Sequence, residues 1–231
     1  MEIAGLQKLT LIDYPGRLAC TVFLPGCNFR CPWCYSRELV LPEEIAKQPK
    51  IAEKELFSFL KERKGLLQGV VVCGGEPTIF KDLPGFMKKI KKLGYLTKLD
   101  TNGSAPQMIK ELINKKLVDY VAMDVKLPKE KYAKVFNDKT NIQSIEDSIN
   151  LLKNGDVEFE FRTTVVPGIH EKQDILEIAH WIRPAPKYFL QSFRAEKTVD
   201  PAFEKVKPYS REFLLEIQRA VSPFFDICRV R

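Results

Sequence analysis

The 231-residue chain contains only two histidines, His170 and His180, neither close to a second Cys-x-x-Cys pair. A zinc site of the mixed cysteine–histidine kind is therefore short of ligands. No run of about eighteen apolar residues occurs, so no membrane-crossing helix is expected. The opening Met1-Glu2-Ile3-Ala4-Gly5 lacks a basic segment followed by an apolar one, so no secretory leader is expected, and the expected address is cytoplasmic. Linkers, internal repeats and low-complexity stretches are missing as well, and one domain over residues 1–231 is the reading. Hydrophobic residues at 45% and charged residues at 29% are ordinary for a soluble globular chain.

The formal charge of +7 is spread along the sequence, and Lys88-Lys89-Ile90-Lys91-Lys92 is its densest run. Such a run is the solvated face of a helix or a docking patch for an acidic protein or a nucleic acid, and charge alone does not choose. Of the six cysteines, Cys27, Cys31 and Cys34 fall within eight residues, which is the spacing of metal or cluster ligation rather than of disulfides. Cys20, Cys73 and Cys228 lie in β-rich runs, where a buried small hydrophobe is the default.

Short apolar, β-branched runs at Ala19–Phe23, Gly69–Cys73, Tyr95–Leu99, Tyr120–Asp124, Glu158–Val166 and Tyr188–Ser192 alternate with segments of helical period. Ile142, Ile145, Ile149 and Leu152 share one helix face, as do Ile175, Ile178, Ala179 and Ile182. Glu53–Lys64, Leu83–Leu93 and Gln107–Lys115 read the same way. Six strands alternating with helices describe a parallel βα repeat in the α/β class, wound as an open sheet or curled into a barrel. In both, the loops after the strands form one face where chemistry collects. Residues 1–17 read as a preceding hairpin turned at Asp13-Tyr14-Pro15-Gly16, residues 18–195 as the core, and residues 196–231 as a closing helix (Arg211–Val221) and strand (Phe225–Val230).

The segment Gly26-Cys27-Asn28-Phe29-Arg30-Cys31-Pro32-Trp33-Cys34 follows the first of these strands. Pro32 suits the first position of a helix, which puts Cys27 and Cys31 on a loop and Cys34 on the first helical turn. A fully protein-ligated iron–sulfur cubane takes four cysteines. Three grouped cysteines leave one iron open, and an open position marks a working site. Zinc, and an electron-carrying cluster with Cys73 as fourth ligand, remain alternatives at this point.

Cys27-x-x-x-Cys31-x-Trp33-Cys34 resembles the signature of the radical S-adenosylmethionine superfamily, and further motifs extend the resemblance over nearly the whole chain. The resemblance implies a partial (β/α)6 TIM-like barrel, a [4Fe–4S] cluster on Cys27, Cys31 and Cys34, and S-adenosylmethionine as cofactor, with Trp33 among its contacts. Gly74-Gly75-Glu76-Pro77 is the motif that contacts the methionine amino group in that family. Asp100-Thr101-Asn102-Gly103 and Asp124-Val125-Lys126 resemble the glycyl-radical-enzyme activases, in which the lysine holds the cofactor carboxylate and the two aspartates ligate a monovalent cation. Two facing carboxylates repel, and a cation relieves that cost. Arg162, on the fifth strand, needs an anion if it faces a barrel interior, and Gln191, ending the sixth, is placed to reach ribose or adenine.

The N-terminal Gly5-Leu6-Gln7-Lys8 and Leu11-Ile12-Asp13-Tyr14-Pro15-Gly16 are similar to the anaerobic ribonucleoside-triphosphate reductase activating subgroup, although Tyr35-Ser36 replaces the His-Asn often found after the third cysteine there. The resemblance implies reductive cleavage of S-adenosylmethionine to a 5′-deoxyadenosyl radical, with a flavodoxin or ferredoxin as reductant. It further implies a glycyl radical installed on a partner anaerobic ribonucleotide reductase, with Asp13 and Arg17 as candidates for holding the partner's loop. Neither a membrane nor a nucleic acid is expected as partner. The alternatives are radical modification of a small molecule or RNA, or a non-enzymatic iron–sulfur electron carrier.

Overall fold

The apolar runs pair side by side in chain order. The computed structural model describes residues 1–136 and 142–231. Its strands are β1 (Gly5–Thr10), β2 (Ala19–Leu24), β3 (Gly69–Gly74), β4 (Leu96–Thr101), β5 (Tyr120–Asp124), β6 (Glu158–Val165), β7 (Ala185–Ser192) and β8 (Phe225–Val230). They form one sheet in the order β1-β2-β3-β4-β5-β6-β7-β8. β1 runs antiparallel to β2, and every later neighbour is parallel. The six expected strands are all present, and β8 pairs with β7 as a seventh parallel strand rather than as a separate closing element.

Two short helices, α1 (Arg37–Val40) and α2 (Pro42–Ile45), follow the cysteine segment. The longer ones are α3 (Glu53–Glu62), α4 (Leu83–Lys92), α5 (Pro106–Asn114), α6 (Lys129–Phe136), α7 (Ile142–Asn154), α8 (Lys172–Ile182) and α9 (Arg211–Val221). α6 was not evident in the sequence pattern. Residues 1–17 do not form a hairpin of their own: β1 pairs with β2, so the hairpin closes onto the first core strand.

Strand side chains alternate between two unlike surfaces. One carries Val22, Leu24, Val70, Val72, Leu99, Val121, Met123, Phe161 and Leu190 and packs under the helices as the main core. The other is the concave lumen. It holds Lys98, Asp100, Asp124, Glu160 and Arg162 above a small apolar floor of Tyr14, Ala19, Val71 and Tyr120. Arg162 on β6 reaches Asp100 on β4 across the intervening strand. The curl, with helices outside and charge inside, is the partial barrel expected.

Candidate active site at the cysteine loop

The cysteine loop leaves the end of β2 and is gripped at once by the loop after β3. Gly75 N–H donates to the Leu24 carbonyl (2.9 Å), Glu76 N–H to the Gly26 carbonyl (2.8 Å), and Gly26 N–H to the Leu39 carbonyl (2.7 Å). The two backbones lie so close that a Cβ on Gly75 would stand 2.0 Å from the Gly26 oxygen. Gly74 has φ near +124°, a conformation a side chain resists. The Gly74-Gly75 pair thus permits close approach to the cysteine loop itself.

Cys34 N–H donates to the Cys31 carbonyl at 3.0 Å, closing a β-turn with Pro32 and Trp33 at its centre. Proline's fixed φ suits the second position of such a turn as well as it suits a helix start. Cys34 is therefore on a turn, not on the expected first helical turn, and α1 begins only at Arg37. Trp33 is 5% exposed. Its ring packs against Phe136, His170 and Phe203 at centroid distances of 6.3, 6.1 and 6.5 Å. The indole anchors the turn in the core.

Burial pushes the Cys27 thiol up to about 11 and the Cys31 thiol up to about 12, and raises Cys34 as well. Three features oppose burial: the Phe29 N–H, 3.3 Å from the Cys27 sulfur, the Ser36 backbone hydrogen bond to Cys34, and the Lys126 ammonium, whose positive charge acts on all three cysteines. Burial disfavours that ammonium too, but Asp124 and the Cys31 and Cys34 sulfurs outweigh it, so Lys126 stays charged. Cys73 lies elsewhere. It is in the lumen with Asp100, Lys98, Asp13 and Arg162 as its charged neighbours, and burial again raises it.

Glu76 is fully buried, and its carboxylate is occupied. Oε1 accepts from Thr78 N–H (3.0 Å), the Thr78 hydroxyl and the Thr101 hydroxyl (2.8 Å), and Oε2 accepts from Asn102 N–H (2.6 Å). Burial raises its pKa against those bonds. Glu76 is a strut between two loops. The Asn102 amide continues the strut, donating to Asn28 Oδ1 at 2.9 Å and standing 4.0 Å from the Cys27 sulfur.

Asp100 and Asp124 do come together, and the positive charge between them is the Arg162 guanidinium. Its Nη1 donates to Asp100 Oδ2 and its Nε to Asp124 Oδ1, both at 2.8 Å. Burial works against both carboxylates, but Arg162, with Lys98 at Asp100 and Lys126 at Asp124, holds them below the usual range. The guanidinium bridges the two carboxylates expected to ligate a monovalent cation. Lys126 Nζ lies 3.4 Å from Asp124. Its backbone is fixed on both sides: N–H to the Tyr132 hydroxyl (2.8 Å), and carbonyl to His170 Nε2 (2.7 Å). His170 Nδ1 accepts from Val166 N–H, so Nε2 carries the proton.

Gln191 ends β7 opposite Thr164, half-buried on the same face of the barrel. Asp13 and Arg17 are not at the mouth. They precede β2, at the end of the parallel strands opposite the cysteine loop, and Asp13 accepts a hydrogen bond from Thr21 at 2.7 Å. Sequence reasoning missed Asn28 and His170, whose contributions depend on distant partners, and Tyr132, which holds Lys126 from six residues on. It also missed Glu38, which follows the third cysteine by four residues and bears on Cys34 electrostatically. Glu38 Oε2 is buried without a hydrogen-bond partner.

The residues present fit the implied cluster and cofactor. Three sulfurs sit on one loop under one ammonium, and deprotonation on binding iron would remove the penalty that burial imposes on them. The stranded Glu38 oxygen, near Cys34, awaits a donor such as a bound ligand carries.

Comparisons with known proteins agree. A Methanocaldococcus jannaschii protein assigned by name to the glycyl-radical enzyme activating enzymes is 31% identical over 234 residues, covering 99% of this chain and 95% of its own. The anaerobic ribonucleoside-triphosphate reductase-activating protein of Escherichia coli K12 is 25% identical over 141 residues, 55% of this chain and 90% of that one. Among solved structures, Streptococcus suis SuiB bound to S-adenosylmethionine superposes with a TM-score of 0.68 at 13% identity, covering 90% of this chain and 51% of SuiB, a likeness of fold. Residues 21–182 match the Radical SAM superfamily, a family that works with a [4Fe–4S] cluster and S-adenosylmethionine. With the barrel, the three-cysteine loop and a full-length relative in agreement, the chain is an enzyme of the Radical SAM superfamily.

Proposed function

We propose that this chain is a glycyl-radical-enzyme activase acting on an anaerobic ribonucleotide reductase. The observation that carries the reading is the vacancy in the ligand set: three cysteines on one loop, with Cys73 drawn away into the lumen beside Asp100 and Arg162. Near full-length similarity to an activase by name supports the substrate class.

When bound, the cluster and S-adenosylmethionine supply reductive cleavage of the sulfonium to a 5′-deoxyadenosyl radical, which takes a hydrogen atom from a backbone glycine of the partner. The chain's own residues bind and orient. Cys27, Cys31 and Cys34 would hold the irons. Lys126, kept charged by Asp124, would pair with the cofactor carboxylate. Gly74, Gly75, Thr101 and Asn102 would receive the methionine end, with Glu76 bracing their loops. Arg162 and Gln191 would contact the adenosyl group, and Glu38 would accept a hydrogen bond from the ligand. With Arg162 already between Asp100 and Asp124, no separate monovalent cation is needed. A flavodoxin or ferredoxin supplies the electron.

The test is anaerobic incubation of reduced, reconstituted enzyme with the ribonucleotide reductase of the same genome and S-adenosylmethionine. A glycyl radical signal on the reductase, lost when its radical-bearing glycine becomes alanine, supports the proposal. Turnover on RNA or a small molecule with no signal on the reductase overturns it.

A further inference from the structure

After β7 the chain crosses back over the cysteine loop. Val199 N–H donates to the Cys34 carbonyl and Asp200 N–H to the Pro32 carbonyl, both at 2.9 Å. The two acceptors belong to the turn that carries Cys31 and Cys34. The crossing segment is itself rigid. Thr198 is fully buried and its hydroxyl donates to the Asp200 carbonyl at 2.7 Å, while Asp200 Oδ1 accepts Ala202 N–H at 2.9 Å. Phe203 then inserts between Trp33 (6.5 Å) and Phe193 (6.3 Å). The Arg37–Glu204 pair adds little, since both side chains are exposed. The strap residues themselves, Thr198 to Glu204, lie beyond the 21–182 match to the superfamily.

We propose that residues 198–203 are a strap that positions the Cys31–Cys34 turn and screens it from solvent, so that Val199, Asp200 and Phe203 govern how tightly the cluster is held and at what potential it is reduced. Groups that orient metal ligands commonly change metal affinity about 10–100-fold when removed. The potential of an iron–sulfur cluster responds to solvent exposure and to hydrogen bonding around its sulfurs. The strap supplies cover for the turn, and Phe203 wedges the Trp33 anchor in place. The inference rests on the cluster reading, but the strap's hold on the turn has a readout without iron.

That readout is alkylation of the metal-free chain, mapped cysteine by cysteine. In Phe203→Ala, Cys31 and Cys34 should react about tenfold faster while Cys73 keeps its rate, as expected of local opening. Phe203→Leu should restore the slow rate. In the reconstituted protein, Phe203→Ala should lose its cluster to air about tenfold faster, with a shifted reduction potential and a changed spectrum of the reduced cluster. Unaltered Cys31 and Cys34 alkylation in Phe203→Ala overturns the strap, whatever the iron content. If that variant does not fold, amide exchange of the unmodified protein decides: loading the cluster should slow exchange at Val199 and Asp200, and equal rates would overturn the proposal. Failure of the wild type to take up iron refutes the cluster reading and leaves the alkylation result to judge the strap.

Discussion

Glu76 and Asn102 are joined by a 2.6 Å hydrogen bond from the backbone N–H of Asn102 to the Glu76 carboxylate, which ties the loop after β3 to the loop after β4. The other carboxylate oxygen takes three more donors from Thr78 and Thr101. Both oxygens must therefore accept. Glu76→Gln places an NH2 group against a donor on one side or the other, and leaving a buried donor unpaired costs roughly 1–3 kcal/mol. The variant should unfold at lower urea by about that amount in the metal-free state. Unchanged stability with only weakened cofactor binding would mean that Glu76 acts as a ligand rather than a strut.

Arg162 gives a second expectation. Replacing it with methionine leaves Asp100 and Asp124 part-buried with their shared cation gone, and the roughly 3–5 kcal/mol for breaking a fully buried charge pair is the upper bound on the cost. Potassium or sodium should then partly restore the variant's melting temperature where choline does not, while the wild type should melt alike in all three. Equal melting of the variant in the three salts would show that the lumen does not need a cation between these carboxylates.

Parts of this network are legible in the sequence. Thr97-Lys98-Leu99-Asp100 and Phe159-Glu160-Phe161-Arg162 alternate charged and uncharged residues with the period of a strand, which marks one face as a polar lumen. What the sequence does not disclose is that Arg162 meets both aspartates, because that pairing is fixed by register across three strands at separations of 62 and 38 residues. The cysteine spacing was legible for the same reason that it is local. The packing of Trp33 against Phe136, His170 and Phe203 was not legible, because an aromatic beside a cysteine carries no sign of which way it points. Asp13 and Arg17 were misplaced even though their position before the first core strand already puts them at the end of the barrel away from the loops that follow the strands. The strap is held mostly by backbone N–H groups, which leave no signature in side-chain composition.

His170 makes stability depend on pH. Burial holds its imidazole below the ordinary value, although its hydrogen bond to the Lys126 carbonyl works the other way. The unfolded chain therefore takes up a proton near pH 6.5 that the folded chain refuses. Its contribution is complete above that pH and declines as pH falls toward the folded value, by at most about 1.4 kcal/mol per pH unit. Urea unfolding at pH 8 and pH 5.5 should show this decline, and His170→Gln, which cannot titrate, should show a shallower one. Equal slopes would remove His170 as the cause.

The account turns on an iron that the polypeptide leaves free for S-adenosylmethionine. The most direct measurement is the electron paramagnetic resonance spectrum of the anaerobically reconstituted, reduced protein before and after S-adenosylmethionine is added, with iron counted on the same sample. About four irons per chain are expected, with a spectrum that changes on addition, a response retained in Cys73→Ala and absent in Cys31→Ala. A cluster that loads fully yet gives the same spectrum with and without S-adenosylmethionine, or one that requires Cys73, would contradict the account.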